Sequence, residues 1–495
     1  MTRASVRFLH RGEVVSLADV GANETLLDYL RLRRHACGTK EGCAEGDCGA
    51  CTVALGTLQD GRLVYEPVNA CICLLGMIDG KELVAVEDLA GTAGAPHPVQ
   101  DAVLRHHGSQ CGFCTPGIVM SLFTLYHAPA RCDRQAVNDG LAGNLCRCTG
   151  YRPIVDAALE VCDAAPRDAF AAQRAATAER LAALDDGEDL LVGDEATGFF
   201  AAPATVDSLA RLYARHPDAT LVAGATDVGL WITKQLRPLP KIIHVGRVAG
   251  LADIRETGRG FAIGAGVTYA RAEGAMAAID PDLVELFRRL GAKQVRAVGT
   301  LGGNIANGSP IGDTPPALIA LGATLHLRRQ QATRSLPLED FFIDYGKQDL
   351  APGEFVTGID VPRLGPGQVF RCYKISKRFD QDISALLGAF RFTVEAGRVA
   401  GARVAFGGMA ATPKRAAATE AALEGLRLGE QQDRDAACEA LASDFRPIDD
   451  MRASARYRLE TAQALLCKAL HEAGGAASAA TRLVGLRPGE AERAA

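Results

Sequence analysis

Cysteines are the residues in this chain whose types and spacing could do chemistry. Of the fifteen in 495 residues, eleven fall between Cys37 and Cys148. The first group lies in GCAEGDCGACTV, where Cys43-x4-Cys48-x2-Cys51 share one loop, with Cys71 and Cys73 following in VNACIC. The second is a pair of matching motifs: SQCGFCTPG carries Cys111-x2-Cys114 and GNLCRCTGYRP carries Cys146-x1-Cys148. A chain of this size without a secretory signal is a poor candidate for a disulfide scaffold, and clustered thiols in a reducing compartment bind metal.

Two ferric irons with two bridging sulfides need four thiolates, and C-x4-C-x2-C…C is the plant-ferredoxin 2Fe–2S spacing. Gly42, Gly46 and Gly49 let the loop backbone curl around an inorganic core. Zinc is the rival, but zinc knuckles favour two separated Cys-x2–4-Cys pairs over three cysteines in one loop. Spacing alone leaves Cys71 and Cys73 equal as fourth ligand. In the second group, a thioredoxin-like disulfide between Cys111 and Cys114 would leave the matching pair unexplained, and Cys-x1-Cys is an awkward chelate for a tetrahedral zinc. A second 2Fe–2S centre fits better. Each pair ends in Cys-Thr before a helical run, so Thr115 and Thr149 are expected to cap helices whose positive ends face the cluster. The other cysteines (Cys37, Cys132, Cys162, Cys372, Cys438 and Cys467) read as small buried hydrophobes.

The elements that must position these residues follow from periodicity. SVRFLHRGEVVSL reads as a hairpin turning at Arg11-Gly12, and NETLLDYLRLR as a helix capped by Asn23 or Thr25. CTVAL and RLVYEPV read as strands. From residue 97, HPVQDAVLRHHG, TPGIVMSLFTLYH, RQAVNDGLAG and RPIVDAALEVC give four short helices. Residues 164–190, lacking aromatic or β-branched anchors apart from Phe170 and Thr177, read as a linker with some helical character. Beyond it strands alternate with glycine turns. GAGVTY lacks the third glycine of a dinucleotide fingerprint, so no Rossmann domain is supported. Two glycine-rich turns remain, LVAGATDVG and GTLGGNIANGSPIGD, whose backbone N–H groups could nest a pyrophosphate.

A net charge of −5 gives no general reason to expect nucleic acid or an anionic membrane as partner. MTRASVRFLHRGEVV has no apolar signal core and no stretch reaches membrane-spanning length, so a cytoplasmic protein is expected.

GCAEGDCGAC, QCGFCTPG and GNLCRCTGYRPI together resemble the iron–sulfur part of the xanthine dehydrogenase/aldehyde oxidase family of molybdenum hydroxylases, and the likeness runs from about residue 3 to 480. The resemblance implies an α+β multidomain chain. Its parts would be a plant-ferredoxin-like β-grasp domain (1–90), a four-helix iron–sulfur bundle (91–165), a linker (166–190), a non-Rossmann FAD-binding α+β domain (191–366) and a C-terminal α+β flavoprotein domain (367–485). It implies Cys43, Cys48, Cys51 and Cys71 as ligands of one 2Fe–2S cluster, and Cys111, Cys114, Cys146 and Cys148 as ligands of the other. LVAGATDVG, AKQVRAVGTLGGN and YKISKRFDQDIS resemble the family's FAD segments. Carried over, the FAD contacts are Leu221, Val222, Ala223, Gly224, Ala225, Thr226, Asp227 and Val228, then Thr300, Leu301, Gly302, Gly303 and Asn304, with Asp313, Val356 and Lys374. Leu290 departs from the phenylalanine that animal members place against the flavin; an aliphatic side chain packs there but stacks less strongly.

The same resemblance implies an electron-transfer subunit in which two 2Fe–2S clusters and FAD carry electrons to NAD+. The molybdopterin that oxidises hypoxanthine and xanthine to urate would then sit on a separate large subunit, in a heterotetramer of two small and two large chains. No substrate-hydroxylating residue is expected on this chain. The alternatives are the equivalent subunit of an aldehyde, CO or N-heterocycle hydroxylase, a stand-alone electron-transfer flavoprotein, and a zinc-stabilised scaffold.

Overall fold

The computed structural model describes residues 2–91, 94–129, 132–163, 165–485 and 487. The chain divides into two compact units, Met1–Ala249 with Gly291–Gly299, and Gly250–Leu290 with Thr300–Ala495.

The first unit opens with a five-stranded mixed sheet in the order Glu13–Leu17, Val6–His10, Glu82–Val84, Thr52–Gln59, Arg62–Asn69. Val6–His10 runs parallel to Glu82–Val84, and the remaining pairs are antiparallel. The hairpin turns at Arg11 and Gly12, both at positive φ (53° and 75°), the backbone hand that matches the twist of two paired strands. Thr25 caps the helical turns Leu26–Arg33 by accepting the Asp28 amide at 3.1 Å. Leu26, Leu27 and Leu30 face the sheet, and Tyr29 meets Phe8 edge-on.

The four expected helices are α1 (Pro98–Arg105), α2 (Thr115–Tyr126), α3 (Arg134–Leu141) and α4 (Arg152–Val161). Most of the stretch read as a linker is a fifth, α5 (Ala169–Leu184). Asp168 caps it through the Ala171 amide at 2.7 Å, and Leu181 and Leu184 are buried. Phe170 packs edge-on against Phe123, and Arg174 donates to the Leu63 carbonyl at 2.9 Å. An alanine-rich sequence forms the helix on propensity, and three apolar anchors suffice to dock it.

The first unit also holds a mixed sheet in the order Thr2–Arg3, Asp189–Asp194, Gly198–Ala202, Lys241–His244, Thr220–Val222. The second unit contains the antiparallel sheet Ile254–Thr257, Gly260–Gly264, Phe355–Pro362, Thr324–Arg329, Ala332–Pro337. It ends in an antiparallel meander of Gln368–Ile375, Leu386–Glu395, Arg398–Gly407 and Lys414–Arg415, packed by the helix Ala455–Ala473. Two expectations for the spare cysteines fail: Cys37 is exposed, and Cys438 and Cys467 form a disulfide between helices. No helix among the described residues is long and apolar enough to cross a membrane.

Candidate functional site

The loop after Lys40 turns inward because Ala44, Gly46 and Gly49 take positive φ. The Cys43 sulfur accepts the amides of Asp47 and Cys48 at 3.4 and 3.3 Å. Its thiol is held far below the usual range by contacts from the Cys48 and Cys71 thiols, while Cys71 is pushed up by Cys43 and then Cys51. Asn69 braces the loop, donating to the Gly46 carbonyl at 2.9 Å. The Cys43 sulfur thus meets those of Cys48 and Cys71, and the Cys71 sulfur meets that of Cys51, so this set is gathered pairwise. Cys73 lies apart: its thiol faces the Leu74 carbonyl at 3.7 Å, and burial pushes it up to about 11.

In the helical region the sulfurs pair across the two motifs. Cys114 meets Cys146, and burial followed by that contact pushes Cys114 up to about 12; Cys148 meets Cys111. Among the described residues no three of these sulfurs lie within 4.8 Å of one another. A single tetrahedral zinc would draw four to within about 4 Å. Sulfurs gathered pairwise suit two irons bridged by sulfide. Neither threonine caps its helix. Cys114 and Tyr151 occupy the cap positions without side-chain cap bonds. Thr115 is already the first helical residue, its hydroxyl 2.7 Å from that of Ser109. Pro153 sets the start of α4 so that Thr149 falls short of it and bonds the Tyr151 amide and the Cys146 sulfur instead, each at 3.2 Å.

Periodicity gave no sign of the residues that tie the two cysteine sets together. Asn144 donates to the Gly49 carbonyl at 3.1 Å and accepts from Ser121 at 2.7 Å. Gln294, from the AKQVR stretch, donates to Asn144, Thr52 and Ser121 at 3.0, 3.1 and 3.3 Å. Buried amides between two glycine-rich loops were the available signal, but their partners are set only by tertiary contact.

The expected FAD residues fall into both units. In the first, the strand Thr220–Val222 carries Leu221 and Val222 into the turn of Ala223, Gly224, Ala225, Thr226 and Asp227, and Val228 begins a short helix. Gly224 is obligatory, since a Cβ there would stand 2.1 Å from the Val298 carbonyl oxygen. Ala225 holds φ 57°, and burial raises the Asp227 carboxyl. In the second unit, Thr300 caps the helix Leu301–Asn307 through the Gly303 amide at 2.9 Å. Gly302 faces Ala265, where a Cβ would come within 2.5 Å. Asn304 accepts the Thr314 hydroxyl at 2.5 Å. Asp313 binds the Lys374 ammonium through one carboxylate oxygen and the Ser384 hydroxyl, at 2.6 Å, through the other. Lys374 is therefore a buried partner of a buried carboxylate, not a surface lysine. Leu290, Leu301 and Val356 share one apolar core. Arg289, which the sequence reading passed over, fixes the Lys374 carbonyl at 3.0 Å and the Ser376 hydroxyl at 3.1 Å. In the second unit, the desolvated Asp313–Lys374 ion pair offers charged groups of the kind that fit the polar parts of a dinucleotide.

Three family models match the chain: a [2Fe-2S] binding domain over residues 85–159, the FAD binding domain in molybdopterin dehydrogenase over 195–364, and the CO dehydrogenase flavoprotein C-terminal domain over 371–473. Similar proteins include xanthine dehydrogenase of Drosophila pseudoobscura pseudoobscura, 32% identical over 82% of this chain and 34% of that protein. Another is xanthine dehydrogenase of Emericella nidulans, 32% identical over 89% of this chain and 36% of that one. The chain thus spans about a third of the length of these relatives. Among solved structures, a chain of CO dehydrogenase from Hydrogenophaga pseudoflava superposes with a TM-score of 0.53 at 28% identity, over 55% of this chain and 96% of that one. A chain of the Cu,Mo-CO dehydrogenase gives 0.53 at 26% identity, over 56% and 96%.

Proposed function

The chain belongs to the xanthine dehydrogenase and CO dehydrogenase group of molybdenum hydroxylases, as an oxidoreductase component with iron–sulfur-binding and FAD-binding domains, and from that premise we propose that it is the electron-transfer subunit of a xanthine dehydrogenase. When bound, two 2Fe–2S clusters supply one-electron carriers and FAD a two-electron acceptor able to reduce NAD+. Cys43, Cys48, Cys51 and Cys71 would hold one cluster, and Cys111, Cys114, Cys146 and Cys148 the other. The loops 221–228 and 300–304, with Leu290, Asp313, Val356 and Lys374, would bind FAD.

A large partner holding molybdopterin would oxidise hypoxanthine and xanthine to urate. The surface around the second cysteine set supports such docking. Cys111 and Cys148 are exposed, and Phe113, Leu145 and Tyr151 stand 48%, 43% and 38% exposed beside them. Apolar side chains left in water around a redox site suit a covering protein.

The observation that carries the xanthine assignment is continuity. One alignment covering 82% of this chain runs through proteins named xanthine dehydrogenase, whereas 55–56% of it accounts for 96% of each CO dehydrogenase chain. A second reading, the equivalent subunit of a CO, aldehyde or N-heterocycle hydroxylase, draws on that structural likeness. The test is purification of the native complex with assay for molybdenum and for xanthine-dependent NAD+ reduction. A molybdenum complex that ignores xanthine and oxidises an aldehyde or CO would replace the first reading with the second.

A further inference from the structure

A cavity of about 1120 Å³ opens in the first unit, with Tyr65, Tyr126, Arg174, Cys162 and Lys293 among its walls. Lys293, the first residue of the helix Lys293–Val298, takes part in none of the described ion pairs or hydrogen bonds. Cys162 ends α4 and is 8% exposed, and its thiol meets that of Cys132, which precedes α3 and packs on the same apolar core. Neither cysteine is among the eight expected cluster ligands, and Lys293, although it lies in AKQVRAVGTLGGN, is outside the residues 300–304 expected to contact the flavin.

We propose that Cys132 and Cys162, with the Lys293 amine beside them, form a thiol–disulfide exchange site at the edge of this cavity, whose walls include Cys162 and Lys293, and that it takes a small-molecule disulfide as its oxidant. Cys132 is the attacking thiol because it is the more exposed of the two. Burial, and then the neighbouring Cys132, push Cys162 up to about 12, which suits the slower, resolving role. Burial, and then Arg296, lower the Lys293 ammonium, so its amine can take up a proton from either thiol and, once charged, favours the thiolate. The Cys132 thiolate attacks one sulfur of R–S–S–R, that bond breaks, and RS− leaves and takes up the proton Cys132 released. Cys162 then loses its proton and attacks the Cys132 sulfur of the mixed disulfide, expelling the second RS−, which is protonated in turn. Two electrons pass from the cysteine pair to the small disulfide, giving one protein disulfide and two RSH. The closed loop, 132–162, contains Cys146 and Cys148, so the bridge would restrain the segment that carries half of the second ligand set.

The experiment exposes the native holoprotein, under nitrogen, to oxidised glutathione, alkylates the remaining thiols and maps peptides by mass spectrometry. Visible cluster absorption serves as the check on folding in every variant. The expected product is a Cys132–Cys162 cross-linked peptide with cluster absorption unchanged. In Cys162→Ser the glutathione adduct should stall on Cys132, and in Cys132→Ser neither position should be modified. Lys293→Met should slow bridging about threefold, since a raised thiol pKa lowers the thiolate fraction but partly restores nucleophilicity. The proposal is overturned if Cys132 and Cys162 remain alkylatable while exposed Cys37 takes up glutathione, or if Cys162→Ser leaves Cys132 unmodified.

Discussion

The carbonyl of Cys48 accepts a 2.9 Å hydrogen bond from the amide of Leu145, so a ligand of one expected cluster is bonded to the residue just before a ligand of the other. Two glycines permit this approach. A Cβ at Gly117 would stand 2.1 Å from the Gly49 carbonyl oxygen, and one at Gly49, where φ is 70°, would stand 2.1 Å from that of Gly143. Backbone atoms cannot retreat as a side chain can, so Gly117→Ala should force the start of α2 away from the Cys43–Cys51 loop. Iron and acid-labile sulfide should fall from about four of each per chain to about two or fewer. A Gly117→Ala protein with full iron and sulfide would show that the two loops bind their clusters independently.

Cys71 and Cys73 are distinguished by where their sulfurs lie. Cys71→Ser removes a thiol that meets Cys43 and Cys51, whereas Cys73→Ser alters a buried neighbour that faces a backbone carbonyl. Electron paramagnetic resonance of the reduced protein should show one of two signals lost in Cys71→Ser and both kept in Cys73→Ser. The reverse pattern would reassign the fourth ligand.

Lys374 and Asp313 form an ion pair whose side chains are 3% and 8% exposed. Removing one partner strands the other, at a cost of about 3–5 kcal/mol, while removing both costs less. Lys374→Met should therefore lower the unfolding midpoint and flavin content together, and Asp313→Asn with Lys374→Met should recover stability without recovering flavin. Full flavin in the double variant would remove this pair from the FAD site.

Much of this was legible in local pattern. Cysteine spacing marked both candidate ligand sets, and a period near 3.6 marked α1 to α4, because each depends on neighbours a few residues away. What spacing left open was long-range. Cys71 differs from Cys73 only through a loop some twenty-five residues earlier. Asp313 meets Lys374 across 61 residues and Gln294 meets Thr52 across 242. The cap assignments to Thr115 and Thr149 failed because prolines at positions 116 and 153 set the helix starts. The stretch read as a linker with some helical character is more helical than its sequence suggested, because alanine carries little hydrophobic signal yet forms helix readily.

The buried triad of His97, His127 and Asp168 is the one group of three among the described residues close enough to hold a metal ion, yet its hydrogen bonds argue against one. Both imidazole Nε2 atoms meet the same Asp168 oxygen, at 2.6 and 2.8 Å. The Nδ1 of His97 accepts the Val99 amide at 3.2 Å, and that of His127 faces the Arg174 guanidinium at 3.3 Å. Both rings must therefore carry their proton on Nε2 and donate it to the carboxylate. A cation bound through Nε2 would force protons onto Nδ1, against an amide N–H and a guanidinium. Burial alone would raise the Asp168 carboxyl, but the bonds from His127, His97 and the Ala171 amide outweigh it and hold it well below the usual carboxylate range. A depressed carboxylate contributes stability above its unfolded value of about 3.9, and that stability is lost as pH falls through that value toward the folded one. Asp168→Asn should thus cost about 1–3 kcal/mol at pH 7. The gap to wild type should persist from pH 8 to about 5 and close as pH falls below about 4. Added zinc should leave the wild-type unfolding midpoint unmoved. A rise in that midpoint with zinc, absent in Asp168→Asn, would make the triad a metal site after all.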